Sequence, residues 1–322
     1  MRSHTYDFQT ADLMRMLGPP LVPLLAFAAL MHAGAGAHLW PKPRATLDVD
    51  RTILIHKAEA SSSRSDAKVV LIGDSSCLID VSALQLSKHL GQPVLNLGTL
   101  SYLDLEAHAA LLKRFFAANP NQVKAVVLLL HPEGLRRPAP EPYHTKFLQS
   151  FLAGEDHIVR QNVPHWLGLE TFRARFLSRA LPTPLGGAYG RYYGFSSDLD
   201  KFLTQNKGSA VDPDPRSFQG NAEYRLAPQL EARSRAFKAA IPPGVRLFVA
   251  ITPAPVGFVH RNYPEIHRQM LLQWGTWLDS NILEELPAVF PDEMCAKTTH
   301  LNEVGTEKYT ALLARSLQSQ LK

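Results

Sequence analysis

Short, unbroken apolar runs, each ended by turn-forming residues, constrain this chain more than any other feature. Lys68-Val-Val-Leu-Ile72 gives way to Gly73-Asp74-Ser75-Ser76, and Pro93-Val-Leu-Asn-Leu97 ends at Gly98. Ala125-Val-Val-Leu-Leu-Leu130 stops at His131-Pro132, and Val245-Arg-Leu-Phe-Val-Ala-Ile251 follows much later. Runs this short without polar alternation suit strands buried on both faces, the signature of a parallel sheet. Helical spacing of apolar residues fills the gaps, at about 76–89 and 105–118, then at 226–240, 263–285 and 303–320. Strand and helix therefore alternate, and the expected class is α/β, a parallel sheet covered by helices on both faces.

From about 135 to 225 the regularity is lost, and Pro, Gly and aromatic residues accumulate. This stretch reads as an insertion or lid, with helical pieces near 145–153 and 168–180 and with Tyr192 and Tyr193 as candidate pocket residues. At the other end, Leu17 to Leu39 contains no Lys, Arg, Asp or Glu, and a run of roughly 20 such residues is long enough to cross a bilayer. The expected organisation is a signal anchor or signal peptide over 1–40, a linker over 41–66 and one domain over 67–322. That places the domain outside the cytoplasm, anchored in the inner membrane and facing the periplasm, or secreted after cleavage.

A net charge of +5 is spread along 322 residues, with no basic cluster, zinc finger or aromatic-basic pattern, so no nucleic-acid partner is expected. No P-loop or dinucleotide fingerprint occurs, and the histidines lack metal-ligand spacing, so neither cofactor nor metal is expected. Cys77 and Cys295 read as two buried free thiols, or as one disulfide in an oxidising compartment.

Ser75 stands at the carboxyl end of one expected strand and the start of a helix. Ligands bind at that end of an open α/β sheet, and a helix start points N–H groups at developing negative charge. Helix capping by Asp74 or Ser75 is the competing reading. A nucleophilic serine needs a base within hydrogen-bond reach, and His300-Leu-Asn-Glu-Val-Gly305 lies just ahead of the last expected helix. Asp80 and Asp104 read as surface or capping residues.

Gly73-Asp74-Ser75, Asn96-Leu97-Gly98 and His300-Leu301-Asn302 with Gly305, in that order, resemble the SGNH/GDSL hydrolases. The resemblance covers about 67–135 and 226–322 and implies a three-layer flavodoxin-like sheet. It also implies Ser75 as nucleophile, His300 as base, and the N–H groups of Ser75 and Gly98 as oxyanion donors. Two family features are absent: His131-Pro132-Glu133-Gly134 replaces the block bearing a donor Asn, and Lys297 stands where an acid precedes the histidine. Asp292, Glu293 or a backbone carbonyl is left to orient His300, unless serine and histidine act as a dyad. Asp74, His131 and Glu133 complete the candidate pocket.

The layout is similar to the membrane-anchored SGNH-like proteins of polysaccharide O-acetylation and teichoic-acid D-alanylation, which work beside a membrane-bound O-acyltransferase. It implies acyl transfer to a glycan hydroxyl. A periplasmic carbohydrate or lipid esterase, and an inactive glycan-binding or scaffold subunit, are the alternatives.

Overall fold

The computed structural model describes residues 10–36, 49–99, 103–136, 142–153 and 223–321. The chain divides into two units, and α1 (Thr10–Gly36) is the described element of the first. This 27-residue helix contains Pro19, Pro20 and Pro23 and exposes Leu21, Val22, Leu24 and Leu25. Among the described residues no helix is long and apolar enough to cross a membrane.

The second unit begins with α2 (Val49–Ser62), β1 (Val69–Gly73), α3 (Ser75–Asp80), α4 (Ala83–Leu90) and β2 (Val94–Asn96). Then come α5 (Leu105–Ala118), β3 (Ala125–Leu130), α6 (Pro132–Arg136) and α7 (Pro142–Leu152). After the long undescribed stretch follow α8 (Leu230–Lys238), β4 (Arg246–Ile251), β5 (Ala254–Pro255), α9 (Tyr263–Leu278) and β6 (Asn281–Ile282). β7 (Val289–Phe290), β8 (Cys295–Lys297), β9 (His300–Leu301) and α10 (Glu303–Leu321) complete it.

Five strands form one parallel sheet in the order β2-β1-β3-β4-β6. Every residue of β1 and β3 is buried, which is why their sequences are unbroken apolar runs. Val69, Leu71, Val127, Leu129, Phe248 and Ala250 turn to one face. There they share a buried cluster with Leu86 of α4 and with Tyr309, Leu313 and Leu317 of α10. Each such side chain contributes about 1.5–3 kcal/mol by leaving water. On the other face α9 lies so close that a Cβ at Gly275 would overlap Ile282 and meet Val249. α5, α8 and α9 pack side by side there, with α2 and α7 against α5. The architecture is therefore α/β with helices on both faces of a parallel sheet. Its order reverses between β1 and β3, the position where such sheets bind ligands.

Two expectations are corrected. The segment 41–66, expected as a linker, contains α2, whose Ile53, Leu54, Ile55, Lys57, Ala58 and Ser61 are buried. Leu54, Lys57, Ala58 and Ser61 recur at three- and four-residue spacing, so one face of α2 meets the domain. In amide hydrogen exchange, residues 54–61 are expected to be protected like α5, and exchange at unfolded-chain rates would contradict this packing. The helix expected to run to 285 ends at Leu278, where Asp279 adopts φ 44° and its N–H caps Gly275 and Thr276. The polar triplet Asp279-Ser280-Asn281 then starts β6, which is too short to leave a period of its own.

The stretch expected as an insertion begins and returns at one place. Ala227 N–H donates to the Leu135 carbonyl at 2.9 Å, and Arg136 Nη1 donates to the Glu223 carbonyl at 3.3 Å. The Arg136 guanidinium also lies 5.2 Å over the Tyr224 ring. The expected helical piece at 168–180, Tyr192 and Tyr193 all lie outside the described residues.

Candidate active site

Three strand ends are tied together at the carboxyl edge of the sheet by one buried carboxylate. Asp74 follows β1 and caps α3, its Oδ1 accepting from Ser76 N–H at 3.0 Å and Ser76 Oγ at 2.6 Å. Its Oδ2 accepts from His131 N–H at the end of β3, at 2.8 Å. Thr252, just past β4, donates from Oγ1 to Ser76 Oγ at 2.9 Å. Burial raises the Asp74 pKa, while the Ser76 hydroxyl, the two N–H donors and the nearby His300 act against it. Gly73 makes the approach possible, since a Cβ there would overlap the Leu129 carbonyl oxygen.

The capping reading is thereby assigned to Asp74, with Ser76 as its partner, and no bond of this network involves Ser75. Ser75 is the first residue of α3 and is 9% exposed. Its N–H, at the first helical position, has no acceptor within the helix and is available to an anion.

His300 is brought to the same helix from the far end of the chain, for β9 packs against α3. The carboxylate beside it is Asp80, the last residue of α3. Asp80 Oδ1 accepts from Leu301 N–H at 3.0 Å and lies 3.7 Å from His300 Nδ1. The second distance is within ion-pair range and too long for a hydrogen bond. Asp80 is 1% exposed, and burial pushes its pKa up to about 6, with His300 and the Leu301 N–H pulling it down.

Of the orienting acids expected in the loop before His300, Asp292 is bonded elsewhere and Glu293 is exposed. Asp292 Oδ1 accepts from Gly257 N–H at 2.9 Å, Glu293 is exposed, and its carbonyl accepts from Asn302 Nδ2 at 2.7 Å. Asn302 Oδ1 also accepts from Gly305 N–H at 3.0 Å, and a Cβ at Gly305 would overlap the Met294 carbonyl oxygen. The run from His300 to Gly305 therefore holds the ring, a core leucine, a helix cap and a close crossing in order. The spacing is structural as much as chemical.

Gly98 differs from the expected oxyanion donor. Its N–H is spent on Asn96 Oδ1 at 2.7 Å, and a Cβ at Gly98 would overlap the backbone of Leu78. Asn96 is a buried organiser: Nδ2 donates to the Cys77 carbonyl at 2.8 Å, and its own carbonyl accepts from buried Lys57 Nζ at 2.7 Å. Thr99 N–H donates to the Gly73 carbonyl at 2.8 Å, holding this loop against the end of β1.

In the third block, Glu133 N–H donates to His131 Nδ1 at 3.2 Å, so the proton of neutral His131 is on Nε2. The Glu133 carboxylate is gripped by Arg136 at 2.9 Å and by Tyr224 OH at 3.1 Å. It is therefore neutralised as a clamp for the stretch returning at Tyr224, not presented bare to an oxyanion. Asp104 caps α5 through Glu106 N–H. Cys77 and Cys295 are buried free thiols, both pushed up by burial, Cys295 to about 12.

Asp80, expected as a surface or capping residue, is instead buried beside His300, and the bonds made by Ser76, Thr252 and Asn96 were not anticipated from the sequence. Asp80 carried a signal, a lone acid inside Cys77-Leu-Ile-Asp80-Val, where a surface carboxylate is out of place. Chemically the arrangement offers a serine at a helix start and a histidine backed by a carboxylate. The Ser75 N–H opens at that same helix start.

No family model and no curated protein matches this chain.

Proposed function

We propose that this chain performs acyl transfer through a covalent intermediate on Ser75, and that its sheet domain is of the SGNH/GDSL type. In this reading it acts outside the cytoplasm, passing an acyl group, normally acetyl, to a polysaccharide hydroxyl beside a membrane-bound O-acyltransferase. The observation that carries the chemistry is the division of labour at the start of α3. Asp74 and Ser76 satisfy the helix end, which leaves Ser75 out of the cap and on the helix that His300 packs against. The placement rests on the uncharged run from Leu17 to Leu39 and on the apolar side chains α1 exposes.

Ser75 Oγ attacks the acyl carbonyl while its proton passes to His300, and the Ser75 N–H faces the oxyanion. The departing alkoxide takes that proton from His300, leaving the acyl ester on Ser75. The acceptor hydroxyl then loses its proton to His300, attacks the ester, and returns Ser75 to its starting state as the proton comes back. With water as acceptor the same cycle is an esterase.

The test is mass spectrometry of the full chain after exposure to p-nitrophenyl acetate, with and without an acceptor oligosaccharide. The expected result is one acetyl group on the Ser75 peptide, discharged onto the oligosaccharide. Discharge to water alone makes the chain an esterase, and absence of acetyl on Ser75 overturns the reading.

A further inference from the structure

We infer that Asp80 is the positioning carboxylate of His300, supplied from the far end of the nucleophile's own helix and not from the loop that precedes the histidine. The inference rests on the serine–histidine reading above. One oxygen, Asp80 Oδ1, faces both the Leu301 N–H at 3.0 Å and His300 Nδ1 at 3.7 Å. The first bond grips the backbone next to the histidine, so the ring is held above the same atom that would accept its Nδ1 proton. A closure of under 1 Å makes the second contact a hydrogen bond, and such contacts commonly tighten when substrate binds. At 1% exposure Asp80 has almost no water competing for that oxygen.

The surroundings leave His300 as the natural partner. Asp80 is faced by His300 of β9, Cys295 of β8, Tyr309 of α10, and Asp74 and Cys77 at its own helix. Of these groups only His300 can carry a positive charge. Asp80 Oδ2 and the Tyr309 hydroxyl are both buried without a partner among the described residues. Ser82 N–H binds Thr310 Oγ1 at 3.0 Å beside them, fixing the end of α3 to α10. The carboxylate therefore sits on a rigid mount. When Ser75 loses its proton to His300, the imidazolium forms against this carboxylate, which lowers the barrier without taking the proton itself.

Asp80→Asn separates positioning from structure, because an amide oxygen still accepts from Leu301 N–H while the charge is gone. In the full chain with p-nitrophenyl acetate, the Ser75-dependent kcat is expected to fall about 10²- to 10⁴-fold with KM little changed. Thermal stability at neutral pH is not expected to fall. Proton and nitrogen NMR of the histidine rings is expected to show the His300 Nδ1 proton in a charge-assisted hydrogen bond to Asp80 in the wild type, with its resonance moved upfield in Asp80→Asn, where only a neutral oxygen faces it. A variant within about threefold of wild-type rate, or one whose Nδ1 proton resonance does not move, overturns the assignment. If wild type lacks Ser75-dependent turnover, the acyl-transfer reading fails, and the Nδ1 proton still decides the role of Asp80.

Discussion

Alanine at Ser75 is expected to lower ester turnover about 10⁴- to 10⁶-fold while leaving the unfolding free energy within about 0.5 kcal/mol of wild type. The two halves of this result have separate causes. The rate falls because the hydroxyl that attacks is gone and His300 has no proton to receive. Stability holds because the start of α3 is capped by Asp74, with Ser76 and His131 as donors, and Ser75 takes no part. Alanine at Asp74 should behave oppositely in stability. It removes a cap, which costs about 1–2 kcal/mol. It also leaves the His131 N–H and Ser76 groups buried without an acceptor, at about 1–3 kcal/mol for each group not rescued. Urea titration of the two variants checks the contrast. A Ser75→Ala protein as unstable as Asp74→Ala would mean that the serine is structural.

The second large effect is on stability against pH. A carboxyl held at about 6 in the folded chain, against 3.8 ordinarily, binds its proton more tightly when folded. Its contribution is therefore fully present below about pH 4 and is lost as pH rises through about 6. The size of that loss is about 3 kcal/mol for this fully buried group. Asp74, also raised by burial, acts in the same direction. Asp80→Asn should accordingly be more stable than wild type by about 3 kcal/mol at pH 7.5 and by close to nothing at pH 4. Activity should run the other way, rising through the same interval as Asp80 ionises. Paired urea titrations of wild type and variant at both pH values isolate this group, and a difference that does not change with pH would refute it.

The parallel sheet was legible because β1, β3 and β4 are buried on both faces, which forces apolar runs that no other element needs. β6 was not, since two residues carry no period. α2 hid behind Ser61-Ser62-Ser63, a polar run that reads as a tether although Ser61 is buried and bonded to the Ala58 carbonyl. Within the site, Ser75 and His300 were candidates through the motifs that resemble the SGNH/GDSL hydrolases, and the packing of β9 on α3 brings their two segments together. The family resemblance implied a donor role for Gly98, but its N–H is spent on Asn96 Oδ1. Asp292 and Glu293 were natural candidates by nearness in sequence to His300. The buried carboxylate beside the ring is Asp80, which 219 intervening positions separate from the histidine and which the packing of β9 on α3 brings to it.

The six residues of α3 hold Ser75 at one end and Asp80 at the other, so a single rigid turn and a half sets the spacing of the proposed nucleophile and the proposed positioning carboxylate. One residue added between them would swing Asp80 by about 100° and lift it by about 1.5 Å, away from His300. If Asp80 supports the histidine, the loop ahead of His300 need supply no carboxylate to the ring, although Asp292, Met294 and Cys295 stay fixed there by Gly257, by Gly305 and by the core. The constraint on a positioning acid is thus moved from that loop, where it would be sought, to the length of α3 between Ser75 and Asp80.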